Sequence, residues 1–316
     1  MLAGWAREVR LSIRVVQGTT EYPRTGLGPV LTIGNFDGVH LGHQSLLKRV
    51  IRTARELGHP SAVLTFDPAP RDILRPDNDI PRIQSLGDKI QTLGTLGIDQ
   101  VIVEPFTREL GAMSPQWFAS EMLVTRLRTT ALVLGWDFRF GRKRAGTVSD
   151  LAVWTDVPVE QVSALKNGDD VVSSSRIRTS VRAGEVETAA RLLGRPHRNR
   201  GRVVKGHQRG RQIGFPTANI MIETPLQPRP AVYVVRCDIG DGQLRPAIAN
   251  LGRRPTFGNS EVTLEVHLLD FEGDLYGAQV AVDYVGKVRD EEAFPSVDAL
   301  MAQIARDCER AREILA

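Results

Sequence analysis

The strongest constraint on how this chain folds is a change of period part-way along it. In the first half, short apolar runs alternate with helical patterns. Val30-Leu-Thr-Ile-Gly34 reads as a buried strand. Leu46, Leu47, Val50, Ile51, Ala54 and Leu57 then recur at helical spacing, and Gly58 stops them. Ala62–Phe66, Val101–Val103 and Ala131–Leu134 read as further strands, with helices predicted over Trp117–Arg128 and Thr179–Leu193. Gly194 and Pro196 close the last of these. Such alternation predicts an α/β fold with a parallel sheet. After Pro196 the period becomes two. Val262, Leu264, Val266 and Leu268 face one way, and Glu261, Thr263, Glu265 and His267 the other. Val232–Cys237 and Val280–Val285 also read as strands, which predicts an antiparallel barrel or sandwich. A closing helix is expected from about Ser296 to Leu315, with Val297, Leu300, Ile304 and Cys308 on one face. A length of 316 residues suits two domains, expected at 1–195 and 196–316.

Composition removes several classes. Lys and Arg total 41 against 37 Asp and Glu, a net charge of +4 that is too small to imply nucleic acid by itself. No apolar run reaches the length of about 18 residues that a membrane helix needs, so no membrane partner is expected. Arg7, Glu8, Arg10 and Arg14 interrupt the start of the chain, against a signal peptide. Cys237 and Cys308 stand far apart with no CxxC, against a disulfide framework or a cysteine zinc site. That usage fits a reducing, cytoplasmic location.

The sharpest motif is Gly34-Asn-Phe-Asp-Gly-Val-His-Leu-Gly-His43, between the first strand and the first helix. Open α/β sheets place ligands there, and a helix N-terminus offers free N–H groups to phosphate. Gly34, Gly38 and Gly42 let backbone approach a polyphosphate, and His40 and His43 add donors aimed at charge that develops during phosphoryl transfer. The pair would also suit zinc, but no third and fourth ligand accompanies it. Neither GxxxxGK[ST] nor GxGxxG is present.

Further motifs follow in order. They are Thr65-Phe-Asp-Pro-Ala-Pro70, Gly135-Trp-Asp-Phe-Arg-Phe-Gly141 and Val172-Ser-Ser-Ser-Arg-Ile-Arg178. With Gly34–His43 they resemble the adenylyltransferase module of bacterial bifunctional riboflavin kinase/FAD synthetases. The resemblance implies a Rossmann-like nucleotidyltransferase sheet whose nucleotide is held by Gly34, Phe36, Asp37, Gly42, Asp137, Ser173, Ser174 and Ser175. His40, His43 and Arg178 would carry the catalysis, and Phe66 and Pro68 would meet the flavin. Ser173–Ser175 suit helix capping equally well.

Gly201–Asn219 is rich in glycine and basic residues, and no Asp or Glu occurs between Thr188 and Ile222. A nucleic-acid patch would need stacking aromatics, and Phe215 alone is nearby. Regular glycines at Gly206, Gly210 and Gly214 favour a loop folded around phosphates instead. Pro216-Thr-Ala-Asn219 resembles the flavokinase signature, which implies that Thr217 and Asn219 bind Mg²⁺ and ATP. Asn250–Phe257, Glu265–Phe271, Asp274–Gly277 and Arg289–Phe294 continue the pattern. The resemblance makes Glu265 the catalytic base and sets Arg289 beside the flavin, although a surface ion pair suits Arg289 equally. It departs at Ala231, where the family usually shows Gly, at His197, where Tyr is common, and at Ser175, where Thr is usual.

The implied enzyme is bifunctional, taking riboflavin, FMN and ATP as small-molecule substrates with Mg²⁺ as cofactor and no nucleic-acid partner. Its oligomeric state stays open. Two rivals fit parts of the chain. One is a nucleotidyltransferase for another phosphorylated acceptor, with the barrel as a flavin sensor. The other is a basic protein that binds nucleic acid through residues 188–222.

Overall fold

The computed structural model describes residues 13–77, 80–168, 170–206, 210, 213–256 and 259–316. Of the segments singled out above, residues 1–12, His207–Arg209, Arg211, Gln212, Phe257 and Gly258 lie outside that set.

The first compact unit comprises, among the described residues, those from 13 to 80 and from 85 to 172. Its sheet contains β1 (Arg14–Gln17), β2 (Val30–Ile33), β3 (Ser61–Phe66), β4 (Gln100–Glu104), β5 (Ala131–Gly135) and β6 (Val159–Val162). The order is β1-β4-β3-β2-β5-β6, and every pairing is parallel. A small hairpin, β7 (Lys166–Asn167) with β8 (Asp170–Val171), stands apart from it. Residues along each central strand alternate between two cores. Leu31, Ile33, Leu64, Ile102, Leu132 and Leu134 pack on one face, against Met122, Leu123 and Leu127. Val30, Val63, Val101 and Val133 pack on the other, against α1 (Leu41–Leu57) and α3 (Leu86–Thr95). The short helix α2 (Pro70–Leu74) follows β3. Burial of each such Leu or Val contributes about 1.5–3 kcal/mol relative to exposure. The chain runs outward from β2 to β3 and β4, then returns to add β5 on the other side. The strand order therefore reverses beside β2, where open sheets leave a ligand crevice.

The second unit contains residues 81–84 and 173–316. Its strands are β9 (His197–Val204), β10 (Ala218–Ile222), β11 (Ala231–Asp238), β12 (Leu244–Thr256), β13 (Asn259–Leu268) and β14 (Gln279–Arg289). They form a closed barrel, β10-β13-β12-β11-β14-β9, rather than a sandwich. Closure comes from β9, which pairs with both β10 and β14 and so removes both free edges. Leu251, Leu264, Val266, Val282 and Tyr284 fill the interior.

Three local expectations change. The helix expected over Thr179–Leu193 is two helices, Ser174–Ala183 and Val186–Leu193. Gly184 separates them in the left-handed conformation at φ 80°. The helix expected over Trp117–Arg128 is a turn at Pro115–Trp117 that continues as a π-helix over Phe118–Arg126. Leu127 N–H accordingly donates to Met122 O, five residues back, at 3.2 Å. In the terminal helix, Val297–Leu315, Val297 is 58% exposed, and the buried anchors Asp307, Cys308 and Ala311 lie in its second half.

The units divide between Val172 and Ser173, earlier than the change of period. The reason is the helix Val186–Leu193. Its Val186, Ala189, Leu192 and Leu193 are all buried, and Val186 joins the barrel core.

Candidate active sites

The first site is built on the turn from β2 into α1. Phe36 and Val39 hold positive φ values of 47° and 39°, and Gly38 lies between them at 87°. Two non-glycine residues in this region mark a strained turn, of the kind that persists where surrounding packing over-determines it. The Phe36 ring is buried and lies edge-on to His43 at 5.1 Å. A Cβ on Gly34 would sit 3.2 Å from that ring and press on it.

His40 caps α1, an unusual residue in that role. Its Nδ1 accepts from the His43 N–H at 3.3 Å, which places the imidazole proton on Nε2 as a donor. The two rings stack with centroids 3.6 Å apart, and a side chain on Gly42 would press on the His40 ring at 3.2 Å. His43 is held neutral, well below the usual histidine range, first by burial, then by His40 and by Lys89. Asp37 pairs with Arg71 of α2 at 3.4 Å. Asp137, in the loop after β5, is exposed, and its carbonyl accepts from Arg144 at 3.4 Å. Phe66 ends β3 and meets Phe106 edge-on at 5.7 Å, and the Asp67–Pro68 peptide that follows is cis. The structure therefore groups Gly34, Phe36, Asp37, His40, Gly42 and His43 at one turn, with Phe66 and Pro68 at the end of the neighbouring strand.

Ser173, Ser174, Ser175 and Arg178 belong to the second unit. Ser173 caps its helix, accepting from Arg176 N–H at 3.4 Å. Ser174 and Ser175 form the first turn. Arg178 is buried and donates through Nε to Pro81 O at 2.9 Å.

The second site lies on the barrel wall. Asn219 on β10 is directly opposite Glu265 on β13, and Glu265 is directly opposite Asn250 on β12. Direct cross-strand partners share a face with their Cβ atoms about 5 Å apart, so a carboxamide, a carboxylate and a second carboxamide form one polar row. Gly206 and Gly210, before β10, approach this row and Thr217. A Cβ on Gly206 would overlap the Asn219 carboxamide, and one on Gly210 would overlap the Phe215 carbonyl and crowd Thr217 Oγ1 at 3.3 Å. Gly214 holds φ 84°. Glycine at 206 and 210 is what lets backbone approach Asn219 and Thr217.

Arg289 donates to the buried Asp307 carboxylate from Nε at 3.0 Å and from Nη2 at 2.8 Å, and its guanidinium lies 5.5 Å from the Phe294 ring centre. It thus ties β14 to the terminal helix. His197 is buried, with Nε2 3.1 Å from Leu226 O, and burial pushes its pKa down to about 4. Ala231 is wholly buried in the barrel core.

Residues 24–176 match the FAD synthetase family and residues 193–315 the riboflavin kinase family. Bifunctional riboflavin kinase/FMN adenylyltransferases are similar over nearly the full length. That of Haemophilus influenzae is 38% identical, covering 95% of this chain and 98% of the relative. That of Pseudomonas fluorescens is 40% identical, covering 96% and 98%. The chain belongs to the bifunctional riboflavin kinase/FMN adenylyltransferase family. A crystal structure described as a macrolide-efflux protein from Streptococcus pneumoniae shares the family member's fold, with a TM-score of 0.89 and 32% identity over 95% of this chain and 99% of that one. Among the described residues of this family member, no helix is long and apolar enough to cross a membrane.

Two residues to which the sequence reading gave no role stand beside these sites. Lys89 lies on the buried face of α3 with Leu93, and its ammonium donates to Thr65 Oγ1 at 3.2 Å. The signal was a lysine spaced with Leu86, Ile90 and Leu93 on an otherwise apolar stripe. Asn250 opens the Asn250–Phe257 motif, and its place in the Glu265 row comes from barrel register.

Proposed function

We propose that this protein phosphorylates riboflavin to FMN with ATP and then adenylylates FMN to FAD, releasing pyrophosphate. Residues 196–316 would carry the kinase and 1–195 the adenylyltransferase. The observation that carries this reading is that each compact unit holds its own glycine-shaped loop beside polar groups suited to phosphate. His40 and His43 stand in one, and Thr217, Asn219 and Glu265 in the other.

In the kinase, Glu265 accepts the proton of the riboflavin 5′-hydroxyl as that oxygen attacks the γ-phosphorus of ATP. The new O–P bond forms as the bond to the ADP oxygen breaks. Thr217 and Asn219 offer hard oxygen donors. That donor set fits Mg²⁺, which keeps waters and substrate phosphates as its remaining ligands. Bound with ATP, Mg²⁺ would supply neutralisation of phosphate charge. Arg289 is assigned to the edge of the flavin.

In the adenylyltransferase, an FMN phosphate oxygen attacks the α-phosphorus of ATP and pyrophosphate leaves. The phosphate is mostly dianionic near neutral pH, with a second pKa of about 6, so no strong base is required. His40, through its Nε2 proton, and neutral His43 would steady the charge that builds on the nucleotide phosphates, and Arg178 would add a permanent cation. Gly34, Phe36, Asp37, Gly42, Asp137 and Ser173–Ser175 are assigned to the nucleotide, and Phe66 and Pro68 to the flavin. The free thiols Cys237 and Cys308 accord with a cytosolic setting.

The test is incubation with riboflavin, ATP and Mg²⁺ followed by chromatography. FMN and then FAD are expected. Absence of FMN sinks the kinase assignment, and absence of FAD from supplied FMN sinks the adenylyltransferase.

A further inference from the structure

β1 and β4 are parallel neighbours at one edge of the first unit's sheet, and an open cavity of about 530 Å³ lies at their carboxyl ends. A small molecule usually takes roughly 300–1,000 Å³. No group assigned above to the nucleotide or the flavin lines this cavity. Its walls carry charges of both signs. Glu104 ends β4, and its Oε2 accepts the Thr19 N–H. Arg126 ends the π-helix, and its Nη1 reaches Thr19 Oγ1 at 3.5 Å. Both side chains thus meet one residue, yet among the described residues no ion pair joins them. Arg126 is fixed instead by Glu121, at 3.0 Å from its Nε, and by the Trp117 ring, whose centre lies 5.2 Å from its Cζ. A guanidinium carries more N–H groups than these contacts use, and Glu104 keeps Oε1 as an acceptor. Leu110, Met113 and Trp117 add apolar surface to the lining, and the exposed Glu21 adds a second carboxylate.

Opposite charges that line one cavity without neutralising each other fit a ligand with donors and acceptors side by side. We propose that this cavity binds a planar ring with a 2-amino-4-oxopyrimidine edge, the edge shared by guanine and the pterins. Such an edge sets a ring N–H and an amino group beside a carbonyl oxygen. Glu104 accepts from the N–H donors and Arg126 donates to the carbonyl, both as charge-assisted hydrogen bonds. The apolar side chains take the face of the ring, the usual division of labour in a small-molecule site. Adenine sets its amino group beside a bare ring nitrogen, whose lone pair the carboxylate would repel. An isoalloxazine sets its N–H between two carbonyls, which Glu104 and Glu21 would repel together. The ligand is therefore neither of the rings assigned to the catalytic sites, and the proposal does not rest on the catalytic reading.

The experiment is isothermal titration of the full-length chain with guanosine, pterin, adenosine and lumichrome, which present the rings without phosphate. Guanosine or pterin is expected to bind, and adenosine and lumichrome about 10-fold more weakly, the discrimination of one well-placed pair of hydrogen bonds. Tighter binding of guanosine identifies a purine occupant, and tighter binding of pterin a pteridine. Glu104→Gln keeps an acceptor for Thr19 and should weaken binding by about 10-fold, as should Arg126→Met. Leu110→Trp fills the cavity from its apolar side and should weaken binding without touching either charge. Thermal melts report that each variant is folded. Absence of guanosine and pterin binding up to about 1 mM overturns the proposal. So does binding that folded variants leave unchanged, which would put these rings in the nucleotide sites. Equal binding of adenosine or lumichrome overturns it as well.

Discussion

Glu265 and Asn219 are direct cross-strand partners in the barrel wall, with Gly206 close against the Asn219 side chain. A carboxylate that must take a proton is thereby fixed on the same surface as the carboxamide assigned to the nucleotide. Rigid strands hold both, which is how a site keeps reacting groups in register. Glu265→Ala should abolish riboflavin phosphorylation, by roughly 100-fold or more for loss of a general base. Supplied FMN should still be adenylylated at the wild-type rate. Riboflavin phosphorylation that survives unchanged removes Glu265 from the mechanism.

The stacked pair His40 and His43 predicts the mirror result. His40→Ala with His43→Ala should stop FAD formation and leave FMN formation within about 2-fold, since loss of preorganised donors typically costs 100-fold or more. His40→Ala also deletes the cap of α1, a loss of about 1 kcal/mol. A thermal melt beside the assay separates the two effects. Equal loss of both activities in a folded double variant would contradict the division of labour.

Gly206→Ala places a methyl group against the Asn219 carboxamide. The side chain or the loop must shift, and the kinase should show about a 10-fold higher KM for ATP, the cost of roughly 1.4 kcal/mol. Adenylylation of FMN should not change. Isothermal titration with a non-hydrolysable ATP analogue on the kinase-competent chain checks the same point without turnover.

His197 predicts an acid-sensitive fold. Its pKa is about 4 when folded, against an ordinary value of 6.5. Between those values the unfolded chain binds more protons, so stability falls as the pH is lowered from 6.5 towards 4 and is complete above 6.5. The loss approaches roughly 3 kcal/mol. His197→Phe should flatten this limb, because Asn199 Nδ2 still donates to Leu226 O at 3.0 Å. Urea midpoints measured at pH 4.5 and pH 7.5 compare the two chains. An equally steep loss in the variant assigns the sensitivity to other groups.

The Arg289–Asp307 pair separates anchoring from flavin contact. Asp307→Ala should cost about 2–3 kcal/mol, since it strands a half-buried guanidinium. Arg289→Ala should cost a similar amount. A larger rise in the KM for riboflavin in Arg289→Ala than in Asp307→Ala marks flavin contact, while equal KM values reduce Arg289 to a tie between β14 and the terminal helix.

Elements with a strong local period were legible from residues alone. The strand at Val30–Ile33, the cap at Gly58 and the alternation of Leu264 and Val266 with Glu265 all appear where the pattern puts them. Barrel closure was not legible, because it depends on β9 finding two partners far apart in sequence. The break at Gly184 was hidden because a single glycine is tolerated inside a helical pattern. At the sites, His40, His43 and Glu265 were visible as motifs. Lys89 was not, since a helical lysine is by default a solvated one. Asn250 needed the register of β12 against β13.

The helix Val186–Leu193 also decides where this polypeptide is divisible. The Lys287 N–H on β14 donates to Glu187 Oε1 at 2.9 Å, and the apolar side of the helix is seated within the barrel's unit. Severing the chain at the change of period near residue 195 would leave that amide without its carboxylate and uncover the seat of Val186. A free-standing kinase half, whether made in the laboratory or by gene fission, has to take the helices from Ser173 onward with it.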